Sequence, residues 1–215
     1  MLVNKRMKSP VITVPYDMPI VDALNLLKHE HIRRAPVIKD GKLVGIVSEK
    51  DLLYASPSPA TSLSVWEINY LVSKIKVSEV MSRDVFTVSE DTPIEEAARI
   101  MADNKVGGLP VMRGDQIVGI ITETDLFKIF LELMGARENG IRATVLIKNQ
   151  PGQLALITQA VASKKGDFVA FGQFTGVDQT NKTVTFKVTG IPLEDLRNII
   201  EPLVVKLVDI REVKV

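Results

Sequence analysis

Two short constellations in this chain have residue types and a spacing that could do chemistry: Ser48-Glu49-Lys50-Asp51 and Thr122-Glu123-Thr124-Asp125. A hydroxyl followed three residues later by a carboxylate has two uses. At the start of a helix it satisfies backbone N–H groups that lack intrahelical partners, and the carboxylate suits the positive end of the helix dipole. Facing a cleft, the same helix start suits a phosphate, and the carboxylate can hold ribose hydroxyls. Capping and binding are compatible. Gly45 and Gly119 precede the hydroxyls in the adjoining strands, where a missing side chain admits close approach of a ligand or of another backbone.

Other residues invite paired readings. Arg33-Arg34 is either a solvated helix end or two guanidinium groups gripping phosphate. Its counterpart, Gly107-Gly108, offers open backbone instead, so the two pockets are expected to be unequal. His29 and His31 stand two apart, and on a helix such rings diverge, so no metal site is expected. Glu49, Asp51, Glu123 and Asp125 could serve as acid and base, but caps and ribose contacts explain them as well. No nucleophile–base set accompanies them, and no catalytic residue is assigned. Asn149-Gln150-Pro151-Gly152-Gln153-Leu154 is a strand-to-helix turn, either a plain turn with Asn as cap or backbone amides open to a small anionic or zwitterionic ligand.

The elements that position these residues come from a repeat. Residues 36–52, PVIKDGKLVGIVSEKDL, return at 110–126 as PVMRGDQIVGIITETDL, and the offset of 74 holds without a gap back to Met7 and Met81. Such a period marks one supersecondary unit used twice. Each copy reads as strand, helix, hairpin, helix, beginning with a strand at Val11–Val14. Ile20, Ala23, Leu24 and Leu27 make one apolar helix face, and Ile94, Ala97, Ala98 and Met101 repeat it. Thr92, Pro93 and Glu95 suggest N-cap, first helical position and capping box. Asp40-Gly41 suits a tight hairpin turn with two positive φ angles.

Ser56-Pro57-Ser58-Pro59 interrupts the first copy's last helix, and residues 62–75 look helical, with Leu63, Trp66, Tyr70 and Leu71 on one side. Trp66 is either a packing anchor or a cleft residue. After residue 140 the pattern becomes βαββαβ, the ferredoxin-like order. The expected division is 1–55, a linker helix at 56–76, 77–136, and 137–215.

A net charge of +1 on 215 residues argues against a general nucleic-acid or membrane-surface binder. There is no cysteine, and no apolar run is long enough for a membrane span. The N-terminus lacks the apolar core of a signal peptide, so a soluble cytoplasmic protein is expected.

The repeated Pro-Val…Val-Gly-Ile-x-(Ser/Thr)-x-x-Asp frame resembles a tandem pair of CBS domains, and the Asn-x-Pro-Gly-x-Leu turn on a βαββαβ order resembles an ACT domain. With its linker SVWEINYLVSKI, the whole is similar to the acetoin-utilisation CBS–ACT family. The resemblance implies an α/β (α+β) fold: a tandem CBS pair, then a ferredoxin-like domain. It implies two clefts for an adenosine-containing ligand. Thr122 and Asp125 would meet ribose and phosphate in one, with Val11 and Ile12 against adenine and Arg33 and Arg34 on the phosphates. The other would use Ser48, Asp51, Val85, Phe86 and Thr92, with Gly107 and Gly108 in place of cations. Asn149, Gln150, Gly152 and Leu154 would mark an amino-acid site at an ACT dimer interface. The expected protein is thus a non-enzymatic, homodimeric sensor with an adenine nucleotide as regulatory ligand and no obligatory cofactor. The rival is a scaffold with vestigial clefts that regulates an enzyme by direct contact.

Overall fold

The computed structural model describes residues 1–55 and 64–215, with the side chains at 65, 66, 68 and 69 outside that description. The expectations for Ser56–Pro59, Leu63 and the Trp66 side chain therefore lie outside the described residues. The chain forms two compact units, Met1–Leu126 and Phe127–Val215.

The first unit contains the repeat. In copy one, β1 (Val14–Pro15), α1 (Ile20–His29), β2 (Arg34–Lys39), β3 (Lys42–Ser48) and α2 (Glu49–Tyr54) follow in order. Two helices come next, α3 (Val65–Val72) and α4 (Val77–Val80). Copy two supplies β4 (Val88–Ser89), α5 (Ile94–Asn104), β5 (Gly108–Arg113), β6 (Gln116–Thr122) and α6 (Glu123–Leu133). Each copy has a three-stranded sheet, β1-β2-β3 or β4-β5-β6, with its first pair parallel and its second antiparallel. The hairpin turn adopts the two positive φ angles that Asp-Gly favours, 51° at Asp40 and 75° at Gly41. Ile20, Ala23 and Leu27 are buried with Val37, Val47 and Leu52, the core that one apolar helix face predicts. Ile94, Ala97 and Met101 are buried in turn. Among the described side chains of α3, Val72 is buried, whereas Tyr70 and Leu71, expected on its apolar side, are exposed.

The copies exchange their leading segments. Lys8 bridges to Ile120 of copy two, and Ser82 bridges to Ile46 of copy one. Val77 and Met81 belong to the first core, while Val3 donates its N–H to Thr92 O. This exchange corrects two expectations. The strand expected at Val11–Val14 is paired only from Val14, because residues 9–13 pass from the sheet of copy two to that of copy one. Thr92 is not an N-cap. Pro93 holds that position without a side-chain cap, and the Ile94 N–H is satisfied by Met1 O from the exchanged segment. Ile75 O does the same for the Ile20 N–H.

The glycines in the strands have the same cause. A Cβ on Gly45 would meet Met81 Sδ at 2.5 Å and Ser82 O at 2.9 Å. On Gly119 it would meet Met7 Sδ at 2.5 Å and Lys8 O at 2.9 Å. Of the two partners anticipated for these glycines, the structure supplies a backbone, that of the crossing segment.

The second unit contains β7 (Gly140–Lys148), α7 (Gln153–Ser163), β8 (Asp167–Thr175), β9 (Asn181–Thr189), α8 (Leu193–Ile200) and β10 (Lys206–Val213). The βαββαβ order folds into one antiparallel sheet, β10-β7-β9-β8. Val145, Val184 and Phe186 are buried against Ile157 and Val161 of α7 and Leu196 and Ile200 of α8. On β9, the buried Lys187 donates to Gly135 O at 2.6 Å and Glu138 O at 2.8 Å.

Candidate functional site

Both hydroxyl–carboxylate pairs are hydrogen-bonded at a helix start. Ser48 donates from its N–H and its Oγ to Asp51 Oδ2, at 2.8 and 2.6 Å, and accepts from the Asp51 N–H at 3.3 Å. Thr122 repeats the first two bonds to Asp125 Oδ2, at 3.0 and 2.7 Å. Ser48 and Asp51 thus complete a capping box at the start of α2, and at the start of α6 the carboxylate half of the same device is present.

Each helix start faces a cleft walled by the crossing segment of the other copy. The first cleft, about 250 Å³, joins Ser48 and Asp51 to Val85 and Phe86, with Gly107, Gly108 and Arg34 opposite. The second, about 320 Å³, joins Thr122 to Val11 and Ile12, with Arg33 and Arg34 opposite. The structure thus brings together most of the residues grouped from the sequence. Two stand elsewhere. Thr92 lines neither cleft, because its backbone is tied to Val3. Asp125 is 6% exposed and stands behind Thr122, outside the lining, while its counterpart Asp51 lines the first cleft.

The arginines depart from expectation in an informative way. Arg33 Nη2 donates to Thr124 Oγ1 at 2.8 Å, joining copy one to the helix start of copy two. Arg34 lines both clefts. A side chain at Gly107 would overlap its guanidinium, and one at Gly108 would meet its Cδ at 3.0 Å. The glycine pair is therefore not open backbone: it is the space that Arg34 occupies. Burial lowers the Arg34 pKa from the ordinary arginine value; Glu123 and Asp51 oppose that shift and Arg33 reinforces it.

Several cleft residues escaped the sequence reading, notably Lys8 and His31 in the second cleft and Ser82 and Asp84 in the first. The offset of 74 pairs Lys8 with Ser82, and that register was the available signal. His31 lies beyond α1 at φ 52°, so it was never a helical partner of His29, which instead bonds Glu30. Among the described residues, no group of three or more His, Cys, Asp or Glu side chains could hold a metal ion. In the second unit the Asn149 side chain donates to Gln179 O at 2.8 Å, so it is not a cap. Gly152 takes the N-cap of α7 at φ 87°, with Gln150 exposed in the turn and Leu154 packed on the core.

The CBS domain family model matches residues 3–58 and 77–132, just over half of the chain. The chain belongs to the CBS-domain family. Its CBS pair is similar to a putative acetoin utilization protein, AcuB, from Vibrio cholerae: 32% identity, TM-score 0.52, covering 64% of this chain and 95% of that one. It is similar to CBSX2 in complex with AMP, at 31% identity and TM-score 0.51, over 61% and 97% of the two chains. It also resembles the CBS domain pair of protein MJ0100 in complex with 5′-methylthioadenosine and S-adenosyl-L-methionine, at 28% identity and TM-score 0.51, over 64% and 98%. Among the described residues, no helix is long and apolar enough to cross a membrane.

Proposed function

We propose that this protein is a non-catalytic sensor of an adenosine-containing ligand. The observation that carries the reading is the twofold construction of the clefts, in which a helix start with its hydroxyl–carboxylate pair faces an apolar pair from the crossing segment. Val11–Ile12 and Val85–Phe86 offer a surface for a base, and the helix starts with their carboxylates offer partners for ribose. Asp51 does so directly; Asp125 stands behind Thr122. Arg33 and Arg34 supply donors for phosphate. The AMP, 5′-methylthioadenosine and S-adenosyl-L-methionine named for similar CBS pairs support this class of ligand.

The C-terminal unit is proposed to be an ACT-type module, supported by its βαββαβ order and the sheet order β10-β7-β9-β8. It pairs two chains, or holds an amino acid near Asn149–Leu154. Ligand binding acts by differing affinity for two arrangements of the CBS pair, which a regulated enzyme reads.

The test is thermal unfolding of ligand-free protein with AMP, ADP, ATP, S-adenosylmethionine and the amino acids. At about a hundred times its dissociation constant, a ligand adds roughly 2.7 kcal/mol and raises the midpoint by a few degrees. A shift with an adenosine ligand that is reduced by Asp51→Ala or Arg33→Ala supports the sensor. No shift with any of them, together with a stoichiometric protein partner indifferent to nucleotide, replaces it with a scaffold.

A further inference from the structure

The two clefts differ in charge. The second is lined by Lys8, Arg33 and Arg34, with no carboxylate among its lining residues. The first sets Asp51 and Asp84 against the single guanidinium of Arg34. Arg34 is common to both, and among the described residues its side chain has no hydrogen-bonded acceptor, whereas Arg33 is already bonded to Thr124. A half-buried guanidinium with five donors and no acceptor favours an entering anion.

We infer that the clefts sort adenosine ligands by the charge of the 5′ substituent and that Arg34 couples them. The second takes the phosphate-bearing ligand; the first takes one whose substituent is neutral or cationic. This rests on the sensor reading and assigns a ligand class to each cleft. The coupling follows from there being one shared cation. A phosphate in the second cleft draws Arg34 toward it and leaves Asp51 and Asp84 less compensated. The first cleft then attracts a sulfonium or other cation more strongly. By linkage, the cationic ligand strengthens phosphate binding by the same factor.

The experiment is titration of the full chain with adenosine, AMP and S-adenosylmethionine at low salt. Methyl NMR shifts of Ile12 and Ile120 report the second cleft, and those of Ile46 and Val85 report the first. Adenosine is expected to bind with little preference. AMP should favour the second cleft by about tenfold or more, the effect of one charge-assisted hydrogen bond. Saturating AMP should tighten S-adenosylmethionine in the first cleft by about fivefold or more. Arg34→Ala should abolish that gain. Gly107→Ala, whose methyl displaces the guanidinium, should tighten S-adenosylmethionine without AMP. If adenosine binds but AMP shows no preference, or AMP leaves S-adenosylmethionine affinity unchanged, the inference falls and the sensor stands. If neither nucleoside nor nucleotide binds, both fall.

Discussion

Lys8 and Ile120 exchange both of their backbone hydrogen bonds, at 2.9 Å from the Lys8 N–H and 3.1 Å from the Ile120 N–H. The start of the chain is thereby part of the second repeat. Val3, fully buried in that segment, should cost about 2 kcal/mol when replaced by alanine. Deleting residues 1–8 should destabilise copy two before copy one, since it also removes the acceptor for the Ile94 N–H. Hydrogen exchange resolved by repeat checks this, and equal loss of protection in both copies would contradict it.

Gly119→Ala should destabilise the fold by about 1–3 kcal/mol, because the added methyl meets Met7 Sδ and the Lys8 carbonyl. Gly41→Ala meets nothing within 4 Å and should cost about 1 kcal/mol, through its positive φ. Pairing each change with Met7→Ala separates the mechanisms. Urea denaturation should show partial rescue for Gly119→Ala and simple additivity for Gly41→Ala.

Asp209 should titrate below the ordinary aspartate range, because its carboxylate accepts from Arg211 and from Arg142. A carboxylate pKa depressed by folding stabilises the protein above its unfolded value, and that contribution is lost as pH falls through the lower folded value. Arg211→Ala should move the Asp209 midpoint up toward the ordinary range. Carboxyl NMR titration reads the shift directly, and an unmoved midpoint would refute the assignment.

Lys187→Met should remove two donors from the carbonyls of Gly135 and Glu138 while keeping the length of the side chain. The expected loss is about 1–3 kcal/mol, the cost of leaving polar groups without partners. Faster amide exchange should be confined at first to residues 135–140. Unchanged exchange there would mean that the ammonium does not hold that segment.

The parts legible in the sequence were those decided within a few residues. The Ile20–Ala23–Leu27 face, the Asp40-Gly41 turn and both hydroxyl–carboxylate pairs follow from local periodicity and hydrogen bonding. What was missed depended on partners far along the chain. Thr92 had the composition of a cap, but the helix it precedes takes its acceptor from Met1. Gly107 looked like open backbone because nothing near it in sequence fills the space that Arg34 occupies. The clefts themselves were grouped through a family resemblance, since spacing alone does not indicate that the segments cross.

The exchanged segments also set a schedule for synthesis. Copy one cannot close its core when residue 55 has been made, because Val77 and Met81 have not yet been added. At a ribosomal rate of about 5–20 residues per second, that wait lasts on the order of seconds. Met1 to Lys8, by contrast, is finished first and must wait for its partners at Glu90 to Ile94 and at Ile120. Neither repeat is therefore a unit of birth. The first unit of a nascent chain should gain protease resistance in one step, after both repeats have emerged, and not in two.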